Sequence, residues 1–333
     1  MEVNLNGNFA VSVIIPVYNA AAFVTKAVES ALSQPEVREV ILVEDCSPDA
    51  SLAVCQKLAG LYPQVKLFQH PDGINRGAGP SRNLGIISST CPYIAFLDAD
   101  DFYLPNRFAE ARNVFEQNPD CDGVYDAVGM YYEDEASRER WREHSITGEG
   151  VTTLFPAIAP ADLFSVLISG GQGHIHLNGL IICRQVVERS GLMDESIADT
   201  LHEDTDWVLR LAAVGRLYPG SVTEPTSMRR VHQQNRVSAP RPSESVKRDR
   251  IRLRVATYRW LRRNGSPEQR RLGLRRLLLE WTRSATCQSY LSRVLALLRF
   301  PFRLPSALLE GHYWHELVRT FWAMIRIDWL RLR

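Results

Sequence analysis

Short apolar runs alternate with helical patterns over the first two thirds of the chain, and nearly every run stops at polar or acidic residues. Val11–Val17 (Val-Ser-Val-Ile-Ile-Pro-Val) predicts a fully buried strand, closed by Tyr18-Asn19 before an Ala-rich helix that reaches about Leu32. Glu39–Val43 predicts a second strand; it runs into Glu44-Asp45-Cys46-Ser47-Pro48-Asp49, where Ser47 or Asp49 is placed to cap a helix to about Leu61. Val65–Gln69 is a third strand, and the polar Gly-rich stretch Gly73–Asn83 opens a helix to about Ser88. Tyr93–Leu97 is a fourth strand, ending abruptly at Asp98, Asp100 and Asp101. Further on, the pattern predicts a helix over Pro105–Asn118, a strand over Gly123–Met130 and a charged surface excursion over Glu133–Glu149 with Trp141 and His144 embedded. A short helix over Leu163–Leu167, a strand over Gly179–Cys183, a helix over Val208–Val214 and a strand ending at Met228–His232 complete the region. Strands alternating with helices predict an α/β fold with a mixed, mostly parallel sheet flanked by helices, in which ligands bind beyond the carboxyl ends of the strands.

Those strand ends carry the candidate chemistry. Three carboxylates within four residues repel one another unless a cation or water screens them, and Asp98 and Asp100, spaced i, i+2, leave an extended segment on one face. Such oxygen ligands suit a hard divalent cation, Mg²⁺ or Mn²⁺. The structural alternative is a solvated acidic turn in which Asp101 caps the helix at Pro105. The Gly-rich stretch lacks both the G-x-x-x-x-G-K-[ST] and the G-x-G-x-x-G pattern, but its Arg82 is suited to pair with a phosphate or with the acidic cluster.

Taken together, Val11–Asn19, Glu44-Asp45-x-Ser47-Pro48-Asp49, Arg82-Asn83-x-Gly85 and Phe96-Leu97-Asp98-Ala99-Asp100-Asp101 resemble glycosyltransferase family 2, closely to about Pro105 and more loosely to about Asn235. That resemblance implies a GT-A, Rossmann-like nucleotide-sugar-binding domain. It implies that Pro16, Tyr18, Asn19, Glu44 and Asp45 surround the nucleoside, that Arg82 lies near the nucleotide, that Asp98 meets the ribose or the metal, and that Asp100 binds the metal. Glu44 stands where the family often has Asp. His202-Glu203-Asp204 precedes an amphipathic helix; by spacing alone this is an acid-rich helix start favoured by the macrodipole. By the resemblance, Asp204 is the general base and Glu203 its catalytic neighbour. His232, after Met228-Arg229-Arg230, matches a family position at the metal or diphosphate; without the family it is a surface histidine. His174 and His176 could hold a metal, contact an acceptor or satisfy local hydrogen bonds.

Charge changes the picture of the C-terminal third. The net charge is +1, but residues 240–333 carry 21 Lys+Arg against 7 Asp+Glu, a net +14, leaving −13 for the rest. Pro240–Ser245 reads as a linker, which divides the chain into a transferase domain, 1–239, and a basic α-helical region, 240–333. A final helix over about Tyr313–Leu330 sets Trp314, Leu317, Phe321 and Ile325 at helical spacing, with Trp322, Trp329, Arg319, Arg326, Arg331 and Arg333 alongside. Such a stripe is either core or a peripheral contact with an anionic membrane; a stacking platform for nucleic acid is not expected. Six scattered cysteines without a C-x-x-C pair, and a start at Met1–Ala10 without a signal pattern, give the expectation of a cytoplasmic protein, peripheral at the inner face of the membrane if the tail binds there.

The expected activity is inverting transfer of a sugar from a nucleotide diphosphate donor, a UDP-sugar, to a hydroxyl acceptor in surface polysaccharide or glycolipid assembly, with Mn²⁺ or Mg²⁺ as cofactor. A nucleotidyltransferase and a non-catalytic nucleotide-sugar-binding scaffold are the alternatives from other classes.

Overall fold

The first strand, β1 (Val11–Val17), is buried on both faces, as its unbroken apolar run requires. The structure is a computed structural model that describes residues 9–144, 151–154, 156–232, 242–283, 295, 297–301, 304, 308 and 313–331. After β1 come α1 (Val24–Leu32), β2 (Val37–Glu44), α2 (Ser51–Leu61), β3 (Val65–Gln69), α3 (Ala78–Ser88), β4 (Tyr93–Phe96), β5 (Phe102–Tyr103) and α4 (Ala109–Gln117). Then follow β6 (Gly123–Tyr125), β7 (Ala127–Tyr132), α5 (Glu135–His144), α6 (Pro160–Ser169), β8 (Leu180–Cys183), α7 (Arg184–Ser190), α8 (Glu203–Val214), β9 (Leu217–Pro219) and β10 (Pro225–Val231). Three longer helices close the chain: α9 (Ser243–Asn264), α10 (Pro267–Arg283) and α11 (Tyr313–Arg331).

Seven strands form one sheet in the order β3-β2-β1-β4-β8-β6-β9. Its first four members pair in parallel, while β8 runs antiparallel to both β4 and β6. The sheet is thus mixed and mostly parallel, as expected. Alternation along β1 splits the core between two faces. Val13, Ile15 and Val17 pack with Val24, Ala27, Val28 and Ala31 of α1, whose i, i+3, i+4, i+7 spacing lays one stripe on the sheet. Ile14 faces the other way, towards Ile86 of α3, Leu163 and Phe164 of α6, and Trp207 of α8. Helix α3 comes so close to β1 that a Cβ at Gly85 would stand 2.4 Å from Ile14, so no side chain fits there.

β10 is the strand expected to end at Met228–His232 and β7 overlaps the expected Gly123–Met130 strand, but they join the unexpected β5 in a second sheet, β5-β10-β7. It explains two departures from expectation. The run Gly123–Met130 is two strands in different sheets, broken at Asp126, because the buried Arg107 guanidinium draws that carboxylate inward (Nη1 to Oδ2, 2.6 Å). The helix expected from Pro105 begins at Ala109, because Phe102-Tyr103 pairs with β10 first and Asn106 then turns with φ 60°.

At the C-terminal end, α9 packs on α8 and α10 packs on α9 and α6. Thr257 Oγ1 donates to Asp206 Oδ1 at 2.7 Å, and Arg252 pairs with Asp199, so α9 is tied to the segment around α8 by polar contacts as well. Tyr258, Leu274, Leu277, Leu278, Phe300 and Tyr313 make a separate apolar cluster, against which Leu317 and Phe321 of α11 pack. The apolar stripe is therefore divided: Leu317 and Phe321 face inward, whereas Trp314 is 63% exposed. The side chains of Ile325, Arg326, Trp329, Arg331 and Arg333 lie outside the described residues, as do residues 145–149 of the charged excursion and the first two residues of the Pro240–Ser245 linker. Ser243 already belongs to α9. Among the described residues, no helix is long and apolar enough to cross a membrane.

Candidate functional site

The turn after β1 is locked to the turn after β2. Asn19 N donates to Ser47 Oγ at 3.0 Å, Ala20 N to Ser51 Oγ at 2.9 Å, and Ala21 N to Asp49 Oδ2 at 3.1 Å. Asn19 and Cys46 both take positive φ, near 55° and 57°, as residues in such tight turns do. Tyr18, 52% exposed, is left with its ring against solvent at the mouth of the site. Pro16 pairs with Val43 in the sheet just below. Glu44 is consumed locally: Oε1 accepts from Ser47 N at 2.7 Å and Oε2 from Gln69 Nε2 at 2.9 Å.

Asp45 does something the sequence did not announce. Its buried carboxylate accepts from Arg76 N and Gly77 N, one oxygen each at 2.8 Å, and Asn75 Nδ2 donates to its carbonyl at 3.0 Å. The Gly-rich stretch is therefore held by Asp45. Gly77 makes this possible with φ 93°, a conformation closed to most side chains. Burial pushes the Asp45 carboxyl above its ordinary value, and the two amides partly offset it.

Helix α3 starts from that loop and carries Arg82 into the centre. Its buried guanidinium donates to Asp98 Oδ1 at 2.6 Å and lies 3.9 Å from Glu203 Oε1, so it joins the end of β4 to the start of α8. Burial disfavours the charge, yet Asp98 and then Glu203 hold Arg82 above its usual value. For Asp98 burial likewise opposes ionisation, but Arg82 and then His176 keep its carboxyl below the ordinary range.

The acids beyond β4 have separate surroundings. Asp101 does not cap a helix: it is buried, its Oδ1 accepting from Arg230 N at 2.7 Å and its Oδ2 from Asn178 Nδ2 at 2.5 Å. Burial, then repulsion from Asp100 and Asp98, pushes its carboxyl well above the usual range. Asp100 is partly exposed, and its Oδ2 lies 3.1 Å from His232 Nε2 just beyond β10. The His232 ring rests on Phe23, centroids 4.6 Å apart, and borders a groove of about 510 Å³ together with Asn19, Ala21, Ala22, Asp49, Glu133 and Asp134.

Two arrangements of possible metal ligands result. Asp98, Asp101 and His176 offer atoms within 4.8 Å of one another. Yet each Asp101 oxygen already accepts one hydrogen bond and its carboxyl is held towards the neutral form, and His176 Nδ1 accepts from Asn178 N at 3.2 Å, which leaves the proton of the neutral ring on Nε2. Burial, then the charge of Arg229, drives His176 down to about 4, so it is neutral at pH 7. Asp100 and His232, a carboxylate and an imidazole on adjacent turns, fit Mn²⁺ or Mg²⁺ better, with Asp98 turned towards Arg82.

Helix α8 supplies the remaining acids. Asp204 Oδ1 accepts from Thr205 N at 2.5 Å and from Thr205 Oγ1 at 3.2 Å, which fixes the side chain and leaves Oδ2 for another partner. Glu203 is buried beside Arg82.

Several residues that frame this site carried no local signal. Asn178 holds both Asp98 N, through Oδ1 at 3.0 Å, and Asp101, and is itself held through its carbonyl by Arg107 Nε and Nη2. Arg229 stacks on Trp141, 5.1 Å from the ring centroid, which buries that tryptophan within the charged excursion. Arg230 lies among Phe23, Phe102 and Tyr131 and donates Nε to the Asp100 carbonyl at 3.0 Å. Of the expected site residues, Arg82, Asp98 and Glu203 meet directly, Asp100 meets His232, and Pro16, Tyr18, Asn19, Glu44 and Asp45 line the neighbouring turns.

The description "Glycosyl transferase family 2" matches residues 12–163. The minor teichoic acid biosynthesis protein GgaB of Bacillus subtilis is 35% identical over 114 residues, 33% of this chain and 12% of its own length. An uncharacterized glycosyltransferase of Haemophilus influenzae is 26% identical over 217 residues, 64% of this chain and 66% of its own. The chain thus spans less than two thirds of the length of both relatives. Among solved structures, S. aureus TarS 1–349 in complex with UDP superposes with a TM-score of 0.57 at 16% identity, covering 94% of this chain and 89% of that one, a likeness of fold.

Proposed function

Because the chain belongs to glycosyltransferase family 2 through residues 12–163, we propose that it moves a sugar from a nucleotide diphosphate donor, a UDP-sugar, to a hydroxyl acceptor with inversion. The observation that carries this reading is Arg82, which ties Asp98 at the end of β4 to Glu203, so that one guanidinium joins a donor-side acid to the neighbour of the acceptor-side base Asp204. The UDP bound by TarS supports the donor class, and the teichoic acid role of GgaB supports surface polysaccharide or glycolipid assembly. The division into a transferase domain, 1–239, and a basic helical region, 240–333, belongs to the same proposal.

In this reading Tyr18 stacks on the base, Pro16 and Asn19 shape its floor, and Asp45 accepts a base N–H with lone pairs that Arg76 and Gly77 leave over. Glu44 stiffens the turn that presents Asp45. Asp98 contacts the ribose or serves as a further metal ligand. A divalent cation, Mn²⁺ or Mg²⁺, would be held by Asp100 and His232, and when bound it supplies positive charge against the diphosphate. Asp204 Oδ2 takes the acceptor hydroxyl proton while the oxygen lone pair forms the new bond to the anomeric carbon. The bond from that carbon to the diphosphate breaks, and its electron pair leaves with the nucleoside diphosphate. Glu203 keeps Arg82 and the start of α8 in register.

Asp204→Asn tests the base assignment, since Asn can still accept from Thr205. Nucleoside diphosphate release coupled to transfer should fall by about 10²–10⁴-fold, with donor affinity by calorimetry little changed; full transfer by the variant would refute the role. Release of pyrophosphate in place of nucleoside diphosphate would favour a nucleotidyltransferase, and donor binding without turnover a scaffold. The exposed row Trp314, Val318 and Trp322, on a region of net charge +14, favours a second element of the proposal: peripheral attachment of α11 to an anionic membrane, read with the expected cytoplasmic location as its inner face.

A further inference from the structure

The turn that ends β4 is closed by a side chain from outside it. Asp101 N donates to Asp98 O at 3.0 Å, so Asp98–Asp101 is a β-turn with Asp100 at its third position. The amide of Asn178 then bridges the two ends of that turn: Oδ1 accepts from Asp98 N at 3.0 Å, and Nδ2 donates to Asp101 Oδ2 at 2.5 Å. A backbone N–H at one end requires an acceptor and a carboxylate at the other requires a donor, so the amide serves both in one orientation only. The far side of the turn is held by β10. Arg230 N donates to Asp101 Oδ1 at 2.7 Å and Arg230 Nε to Asp100 O at 3.0 Å, and His232, two residues on, places Nε2 3.1 Å from Asp100 Oδ2.

Asn178 is itself immobilised. It is fully buried in a single 3₁₀ turn, Leu177–Gly179, just before β8. Its N–H donates to His176 Nδ1 at 3.2 Å, and its carbonyl accepts from Arg107 Nε at 3.2 Å and Nη2 at 3.1 Å. Arg107, also fully buried, gives Nη1 to Asp126 Oδ2 at 2.6 Å and its backbone N–H to Gln34 Oε1 at 3.0 Å. The next residue along is just as confined, since a Cβ at Gly179 would stand 2.3 Å from the Asp126 carbonyl oxygen. Buried polar networks whose members are satisfied rigidify what they surround, and a side chain locked by such a network transmits a fixed geometry to the groups it holds.

We propose that Asn178 is a positioning residue for the divalent cation: acting through Asp98 N and the Asp101 carboxylate, it holds the turn so that Asp100 faces His232 at the separation a shared ion requires. This rests on the reading of Asp100 and His232 as the metal ligands. Asn178 supplies no ligand atom itself, because both ends of its amide are spent on Asp98 and Asp101. Asp101 is the link between the two supports, one oxygen on Asn178 and the other on β10, so loosening either end frees Asp100 to move away from His232. Partners that orient metal ligands in this way govern metal affinity without touching the ion.

A reciprocal exchange tests this. Asn178→Asp sets a second carboxylate against Asp101, and Asp101→Asn leaves an amide nitrogen facing either Asn178 Nδ2 or Arg230 N. Each should weaken Mn²⁺ binding by the full chain about 10–100-fold, read from the electron paramagnetic resonance signal of free Mn²⁺. In the double variant every donor has an acceptor again: the carboxylate at 178 accepts from Asp98 N and from the amide at 101, whose oxygen accepts from Arg230 N. That variant should regain most of the affinity, a coupling that loss of packing alone would not produce. Urea unfolding in chelator, run on the same proteins, separates the fold from the site. Single variants that shift the urea midpoint yet bind Mn²⁺ as wild type does would overturn the proposal. So would a loss that the double variant does not recover, since Asp101 would then be a ligand in its own right. Asp101→Asn carries the same prediction if Asn178→Asp fails to fold. Wild type that takes up no Mn²⁺ would sink the metal reading and this proposal with it, whereas wild type and single variants that bind alike would sink this proposal alone.

Discussion

Arg82 Nη2 donates to Asp98 Oδ1 at 2.6 Å while its Nη1 sits 3.9 Å from Glu203, so one buried cation separates two carboxylates from strands and helices far apart in sequence. Removing it leaves both acids facing each other without compensation. Arg82→Met should therefore destabilise the protein by about 3 kcal/mol or more, whereas Asp98→Asn, which leaves Arg82 with Glu203, should cost less. Urea unfolding at pH 7 checks the order; equal midpoints for the two variants would show that Glu203 takes no part.

Asp100 and His232 are separated in sequence by the whole second half of the domain, yet the β5-β10 pairing sets them 3.1 Å apart. Replacing either by Asn or Gln should weaken Mn²⁺ binding by about 100-fold, followed by the electron paramagnetic resonance signal of free Mn²⁺. His176→Gln should leave the affinity near wild type, because Asn178 N already occupies Nδ1. The reverse pattern would move the metal to Asp98, Asp101 and His176.

The large sheet was legible because its strands are buried on both faces and read as continuous apolar runs, and the acids at their ends stood out against that background. Strands alternating with helices also foretold helices flanking the sheet, and Val13 and Ile15 pack on one side of it while Ile14 packs on the other. What escaped was much of what distant partners set. Asp101 looks like a cap beside Pro105, but its hydrogen bonds come from Asn178 and Arg230, 77 and 129 residues away. Asp126 breaks a run that reads as one strand because Arg107 and Ser221 N claim its two oxygens. The stripe on α11 is real, but helical spacing alone does not say which side of Trp314 meets the core; Leu317 and Phe321 do.

Glu39 offers a pH test away from the site. Its carboxylate accepts from Ser12 Oγ at 2.6 Å, Lys66 Nζ at 2.5 Å and Thr90 N at 2.5 Å. Burial would raise its pKa, but Lys66 and then Ser12 and Thr90 outweigh it and hold the group at about 2, below the ordinary 4.5. A depressed carboxylate stabilises the fold above its unfolded pKa and loses that contribution as pH falls through the folded value. Glu39→Gln should thus cost about 2 kcal/mol at pH 7, discounted for the solvent around Lys66, with the gap from wild type narrowing between about pH 4.5 and pH 2. A gap independent of pH would mean that packing, not charge, holds Glu39.

Trp314, Val318 and Trp322 lie at four-residue intervals on α11, each more than half exposed at 63%, 51% and 61%, while Leu317 and Phe321 face the apolar cluster. Exposed tryptophans on a helix in a region of net charge +14 have the composition of an interfacial element, with apolar rings for the acyl boundary and cations for the headgroups. Each basic residue near an anionic surface adds about 1 kcal/mol, and salt screens that attraction within a Debye length. Pelleting with vesicles that contain phosphatidylserine should therefore fall when Trp314 and Trp322 are both replaced by Ser, and should fall for wild type as salt rises. The fold should tolerate these changes because neither ring belongs to the core. Unchanged pelleting by the double variant would assign any binding to charge alone and remove α11 from the membrane.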